Sequence, residues 1–366
     1  MSARAGTGGD AGTEVPAATG GGSRTGALLD AAGPLAAVVL ALLVGAVFIA
    51  AVGKNPIDIY GKMLEGVFGN AYGVGQVFFR ATPLIFTGLA VALGFRAGLF
   101  NIGAEGQLNV GAFVAGLVGA AGAGLPAFVL LPITVLAGML GGALWALPPA
   151  WLKAKVGAHE VINTIMMNFI ALALVQYFGH RAFVHATVHT PEIGAGARIP
   201  RLDAVLEVFR GSPVNASLLL ALVVAVAVGF LLWRTRFGYE LRAVGLSPSA
   251  AEYAGIRVPR MWMTALCLSG AIAGLVGTNF VQGYKYYYEA GFSGGIGFLG
   301  IAVALLGRNH PAGVVVAALF FAALSYGGLV INTEVPKELV EILQAIVILF
   351  AIVAHTVVER IRRARA

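Results

Sequence analysis

The run Val214-Asn-Ala-Ser-Leu-Leu-Leu-Ala-Leu-Val-Val-Ala-Val-Ala-Val-Gly-Phe-Leu-Leu-Trp233 decides the fold, because it holds no charge and only Asn215 and Ser217 are polar. At about 1.5 Å per residue, a helix of this length crosses a hydrocarbon core of about 30 Å. A helix on the surface of a soluble protein would show a polar face over that distance, and this one is apolar all round. Arg234 and Arg236 follow at once, as cations do at the cytoplasmic end of a span.

Working outward, further apolar stretches lie near 33–52, 81–99, 107–122, 126–151, 161–178, 262–282, 294–307, 311–331 and 338–357. Together with 214–233 they predict an all-α polytopic membrane protein with about ten transmembrane segments. The stretch 294–307 is short enough to be a broken or re-entrant helix. Composition agrees: 58% of the 366 residues are hydrophobic and 11% charged, against about 25% charged in a soluble domain. Residues 1–32 read as a disordered cytoplasmic tail without a secretory h-region, 33–358 as the transmembrane domain, and 359–366 as a basic cytoplasmic tail. Cys267, the single cysteine, lies in an apolar run and can only pack.

An even number of crossings puts both termini on one side. With the N-terminus inside, fifteen of the 24 Lys and Arg fall in the cytoplasm and nine outside. The positive-inside rule therefore predicts an N-in, C-in protein. The net charge of +7 then reflects topology and contact with the lipid bilayer, and nucleic acid is not an expected partner.

Two Gly-rich interruptions, Gly94–Gln107 and Gly291–Gly300, break the apolar pattern. In transporters built from repeated halves, paired interruptions expose backbone groups to a translocation site. Gly138-xxx-Gly142 and Gly270-xxx-Gly274, by contrast, have the spacing of close helix packing. Polar residues in spans are costly and therefore informative. Asn101, Glu105, Gln107 and Asn109 cluster at the first interruption, Glu160, Asn163 and Asn168 form one stripe, and Asn279 and Gln282 end the seventh span. Asn101, Glu105, Gln107, Asn109, Asn163, Asn168, Asn279 and Gln282 are the candidate pathway for a polar, uncharged solute. The competing reading is interhelical hydrogen bonding that sets the bundle geometry. Tyr284-Lys-Tyr-Tyr-Tyr288 reads as an aromatic belt at the membrane interface.

Catalytic patterns fail on context. No G-x-x-x-x-G-K-[ST] is present, so no ATP site belongs to this chain. Gly295-Ile-Gly297-Phe-Leu-Gly300 matches G-x-G-x-x-G only by letter, with no strand around it. His159-Glu160-Val-Ile-Asn163 lacks the second histidine of a zincin. His180, His185 and His189 have no carboxylate or thiolate beside them to complete a metal site. Asn215-Ala-Ser217 matches a glycosylation sequon.

The cytoplasmic loop 234–260 contains Gly245, Leu246, Ser247, Pro248, Ala250, Ala251, Glu252, Tyr253, Ala254 and Gly255. Ser247 is placed as an N-cap, Pro248 at the first helical position and Gly255 at the stop. A short capped helix between two spans is shaped to dock in a groove of a partner protein, and Ala251 and Glu252 are the positions at which an added arginine would test docking.

This loop resembles the coupling segment of the permease subunits of ATP-binding-cassette importers of the ribose/branched-chain amino-acid type. Gly98-Leu-Phe-Asn-Ile-Gly-Ala-Glu-Gly-Gln107, Leu152–Asn168 and Gly300-Ile-Ala-Val-Ala-Leu-Leu-Gly-Arg-Asn309 narrow the similarity to nucleoside-uptake permeases, over roughly 33–358. Leu299 departs from a position where the family commonly has a polar residue. The resemblance implies a non-enzymatic transport subunit of the bacterial plasma membrane. A separate cytoplasmic ATPase would use ATP and magnesium and dock on the coupling helix. A second homologous permease would complete the pore. An extracellular substrate-binding lipoprotein would deliver nucleosides to loops 53–80 and 180–213. The alternatives are the same machine carrying a simple sugar or another small polar solute, and, in a different class, a stand-alone secondary transporter, which would need mid-span ionisable residues.

Overall fold

The computed structural model describes residues 24–350 other than 205, 337 and 340, together with residue 353. The described chain is helical, with only isolated bridges such as Arg201 to Asn215 outside the helices. In chain order the helices are α1 (Arg24–Ala51), α2 (Pro56–Phe68), α3 (Ala71–Arg96), α4 (Ala104–Ala121), α5 (Ala127–Val156) and α6 (Glu160–Ala182). They continue with α7 (Ser217–Arg234), α8 (Arg236–Leu246), α9 (Pro248–Tyr253), α10 (Val258–Gly274), α11 (Ile296–Leu306), α12 (Pro311–Val330) and α13 (Glu341–Phe350). A π-helical turn, Thr278–Lys285, prolongs α10.

Six of these, with α10 counted through Lys285, are long and apolar enough to cross a membrane, or seven if α1 and α2 are taken as one bent span. All ten predicted apolar stretches hold helix, but not all have the length of a crossing. α11 has eleven residues, about 16 Å, half a hydrocarbon core. α4 begins with Glu105, Gln107 and Asn109 in its first turns. The helix around the first span starts at Arg24, inside the tail expected to be disordered to residue 32; the rest of that tail, residues 1–23, and the whole basic tail, 359–366, lie outside the described residues.

Segment 53–80, read from the sequence as an extracellular loop, holds α2 and the first turns of α3. Asn55 accepts a hydrogen bond from the Ile57 amide at 3.0 Å and Pro56 takes the first helical position, which suffices to start α2. Asp58, Lys62 and Glu65 hide α2 from a hydropathy reading, yet Ile59, Met63 and Val67 form one buried stripe. α2 is bent 116° from the α1 segment Val38–Ala51. Asn70 caps α3 through the Gly73 amide at 2.7 Å, ten residues before the predicted start, because Gln76 and Arg80 interrupt the apolar run.

α3 is the central helix, with 89% of its apolar window buried, whereas α5, α6 and α7 sit outermost at 28%, 22% and 33%. The most extensive helix pair is α5 with α10. It forms around the predicted glycines: a methyl group on Gly142 would collide with the Gly270 carbonyl, and one on Gly274 with the Gly138 carbonyl. α4 joins them, since a Cβ on Gly111 would lie 2.6 Å from the Gly274 Cα and 2.7 Å from the Gly138 oxygen. Without a hydrophobic force between helices in lipid, such backbone contact is what holds them together.

Candidate functional site

The two interruptions meet. The segment after the π turn re-enters the bundle and brings Ser293 and the start of α11 onto Glu105 of α4. Ser293 Oγ donates to Glu105 Oε1 at 2.5 Å, and the Gly297 amide donates to Glu105 Oε2 at 2.7 Å. α11 has no side-chain cap of its own, so Glu105 supplies one from another helix to an otherwise orphaned N–H. α4 is treated likewise. Its N-cap position is Gly103, and Asn168 of α6 accepts from the Gly106 amide at 2.8 Å while donating to the Ile102 carbonyl at 2.9 Å.

The other predicted pathway residues are also placed. Asn101 donates to Gln107 Oε1 at 2.9 Å and to Ser269 Oγ of α10 at 2.8 Å. Asn109 donates to Ser293 Oγ at 3.1 Å and accepts from the Tyr288 hydroxyl at 3.4 Å. Asn279 donates to the Phe79 carbonyl at 3.2 Å and accepts from Asn215 and Ser217. Gln282 Nε2 donates to Thr134 Oγ1 at 2.9 Å and to the Ala197 carbonyl at 3.2 Å. Only Asn163, half-buried on α6, leaves its side-chain nitrogen without a partner. Seven of the eight thus carry the bundle's internal hydrogen bonding, the competing reading of the sequence. Glu160, on the stripe with Asn163 and Asn168, pairs with Lys153 at 2.8 Å. Replacing Glu105 or Asn168 by alanine should lower stability by about 1–3 kcal/mol, because each leaves a buried N–H unmet. Thermal unfolding in detergent checks this; an unchanged melting temperature with reduced uptake would instead make the residue part of the pathway.

Other features differ from expectation. Tyr288 is 1% exposed and packs on Phe113 and Phe292, so it is not part of an interfacial belt. Burial, reinforced by the Glu105 carboxylate, pushes its hydroxyl well above the usual tyrosine range and keeps it a neutral donor. Asn215, the sequon residue, is 1% exposed and bonded to Asn279 and Gly283, which hides it from glycosylation. His189 stacks on Tyr287 with centroids 4.4 Å apart.

None of the eight lines the two adjoining cavities found between α3, α12 and the start of α11. The larger, about 650 Å³, is walled by Phe79 and Arg80 of α3, Phe280, Phe298 and Leu299, with Ser325 of α12 and Glu341 and Gln344 of α13. The smaller, about 470 Å³, has Tyr72, Gln76, Tyr284 and Tyr326. Phe79, Arg80 and Leu329 wall both. Leu299, the departure from the family pattern, faces the larger space. Sequence reading passed over this site because its walls come from segments far apart in the chain, and because Arg80 stood outside the predicted span.

On the loop 234–260, Ser247 accepts from the Ala250 amide at 3.3 Å and Gly255 is left-handed at φ 83°, as the sequence implied. Tyr253 is 95% exposed and Leu246 57%, whereas Ala251 is 3% exposed against Val244, Val258 and Met261. An arginine at Ala251 would therefore break the loop's core and report on folding; Leu246 and Tyr253 are the outward positions. The α8 backbone touches the first interruption, for a Cβ on Gly98 would lie 3.2 Å from the Gly245 Cα. Gly98, at φ 72°, is in a conformation that favours glycine. Arg96, two residues earlier, donates to the Asn309 carbonyl at 3.0 Å, tying the same corner to the turn after α11.

A polytopic bundle with two facing helix interruptions, a cavity beside them and an outward-facing capped helix pair is the architecture of a transport permease. The model of the family described as branched-chain amino acid transport system / permease component matches residues 73–352, and the chain belongs to that family. It is 40% identical over 329 residues to the guanosine ABC transporter permease protein NupP of Bacillus subtilis, covering 88% of this chain and 93% of the relative. It is 39% identical to the glucose ABC transporter permease protein TsgB13 of Haloferax volcanii, over 88% and 87%, and 34% identical to the nucleoside ABC transporter permease protein NupB of Lactococcus lactis, over 91% and 93%. No solved structure matches the chain. The chain is thus a multi-pass membrane permease subunit of the ABC transporter class.

Proposed function

We propose that this chain forms part of the pathway for nucleosides in an ATP-driven importer of the bacterial plasma membrane, with both termini in the cytoplasm. The observation that carries the reading is nearly full-length similarity to permeases named for guanosine and for nucleosides. A separate ATPase, with its ATP and magnesium, docks on the α8–α9 pair, a second homologous permease completes the pore, and an extracellular binding protein delivers the solute. ATPase closure pushes α9, and the displacement passes through the Gly245–Gly98 contact to the first interruption. From there the Glu105 bonds to Ser293 and Gly297 carry it to α11 and the cavity wall, a switch between inward and outward access. Similarity to the glucose permease favours one second reading, the same machine carrying a simple sugar.

Accumulation of labelled adenosine, inosine, guanosine and uridine by cells carrying the complete importer tests this. Deleting this chain should reduce nucleoside uptake to background. Uptake of glucose or ribose in place of all four nucleosides would move the assignment to the sugar reading.

A further inference from the structure

Arg80 is a cation that both cavities share. Among the described residues it makes no ion pair, its Nε is buried without a hydrogen-bond partner, and its charge lies over the Tyr326 ring, 5.7 Å from the centroid. Keeping that N–H inside a membrane bundle without an acceptor is costly, which points to an acceptor brought by the solute. Glu341 lines the same larger cavity, so an anion attracted by Arg80 would meet a carboxylate there, and the fixed charges balance for a neutral solute. The rings of Phe79 and Tyr284 lie 5.0 Å apart by centroid, and Phe280 is 5.5 Å from Phe79, surfaces on which a flat conjugated ring stacks.

We propose that Arg80 is a specificity-determining residue that donates hydrogen bonds to a carbonyl oxygen on the base of a passing nucleoside. This rests on the nucleoside reading. Guanidinium suits this role because its planar fork reaches a ring carbonyl while its face stays on an aromatic ring. Inosine and adenosine form the discriminating pair, since one carries a carbonyl where the other carries an amino group.

The test is uptake by the complete importer at saturating solute, with Arg80→Met, which keeps an apolar stem and removes every donor, and Arg80→Lys, which restores one. Assembly is followed by co-purification of the partner subunits. In Arg80→Met the ratio of inosine to adenosine uptake should fall about tenfold, the worth of a hydrogen bond to a charged donor, and Arg80→Lys should recover part of it. An unchanged ratio, whether uptake is normal or lowered equally for both solutes, overturns the proposal and leaves Arg80 structural. Wild-type uptake of sugars with neither nucleoside would instead bring down the nucleoside reading on which the proposal stands.

Discussion

Gly142→Val should abolish accumulation of the folded permease, and Gly274→Val should do the same. Gly142 presents its Cα side to the Gly270 carbonyl, while Gly274 packs on Gly138 and Gly111. In each case the obstacle is backbone, which has no rotamer to escape into. Overpacking a core costs about 1–3 kcal/mol when side chains can yield. Here α5 and α10, the most extensive helix pair, would have to separate along their backbones, so the loss exceeds that range. The contact also cannot be replaced by apolar side chains at a larger spacing, because lipid competes with them equally well. Gly61→Ala is the matched control: nothing lies within 4 Å of a Cβ there, and removing a helical glycine is worth up to about 1 kcal/mol in favour of the fold. Fluorescence-detected size exclusion and thermal unfolding in detergent distinguish them. A monodisperse Gly142→Val protein melting with the wild type would show that the α5–α10 contact is not what holds the bundle.

These glycines were legible from spacing, as was the capped α9, because both signals are local. Ser247, Pro248 and Gly255 start and stop a helix by their own backbone and side-chain chemistry, whatever surrounds them. Hydropathy also found every long apolar helix. It missed α2, whose stripe of Ile59, Met63 and Val67 is interleaved with Asp58, Lys62 and Glu65, and it cut ten residues from α3 at Arg80.

The role of the polar residues was not legible in the same way. Asn101, Glu105 and Asn168 in apolar runs announce a buried demand for hydrogen bonds, but a lumen and an uncapped helix start make the same demand. Only the positions of Gly297, Gly106 and Ser269 show which demand each residue meets. The cavity poses the inverse problem: Phe79, Phe298, Ser325 and Gln344 carry no signal in sequence and become a site through adjacency alone. Arg80 was the exception, a cation in an apolar neighbourhood whose cost was visible and whose span was drawn too short to include it.

Leu246→Glu together with Tyr253→Asp should eliminate uptake while leaving the permease folded. Both side chains project from the α8–α9 pair, at 57% and 95% exposure, so removing them costs the isolated chain little. Exposed aromatic and aliphatic anchors on a short rigid element are what an interface uses for most of its energy, and losing one such anchor costs about 2 kcal/mol or more, about thirtyfold in affinity. Beside them lies a recess of about 370 Å³ in which Arg236 is paired with Glu240 at 2.9 Å while Arg257 and Arg260 complete a basic wall, a setting for acidic groups of a partner that an added carboxylate on α9 would compete with. On the proposed coupling route, losing the docked ATPase would stop the push on Gly245 and with it the movement at Gly98, so transport should end rather than slow. The measurement is uptake paired with co-purification of the ATPase and a melting curve of the permease. Wild-type uptake with the ATPase still bound would remove this helix pair from the coupling route, and a lowered melting temperature would show that the two side chains serve the loop's own core, as Ala251 does.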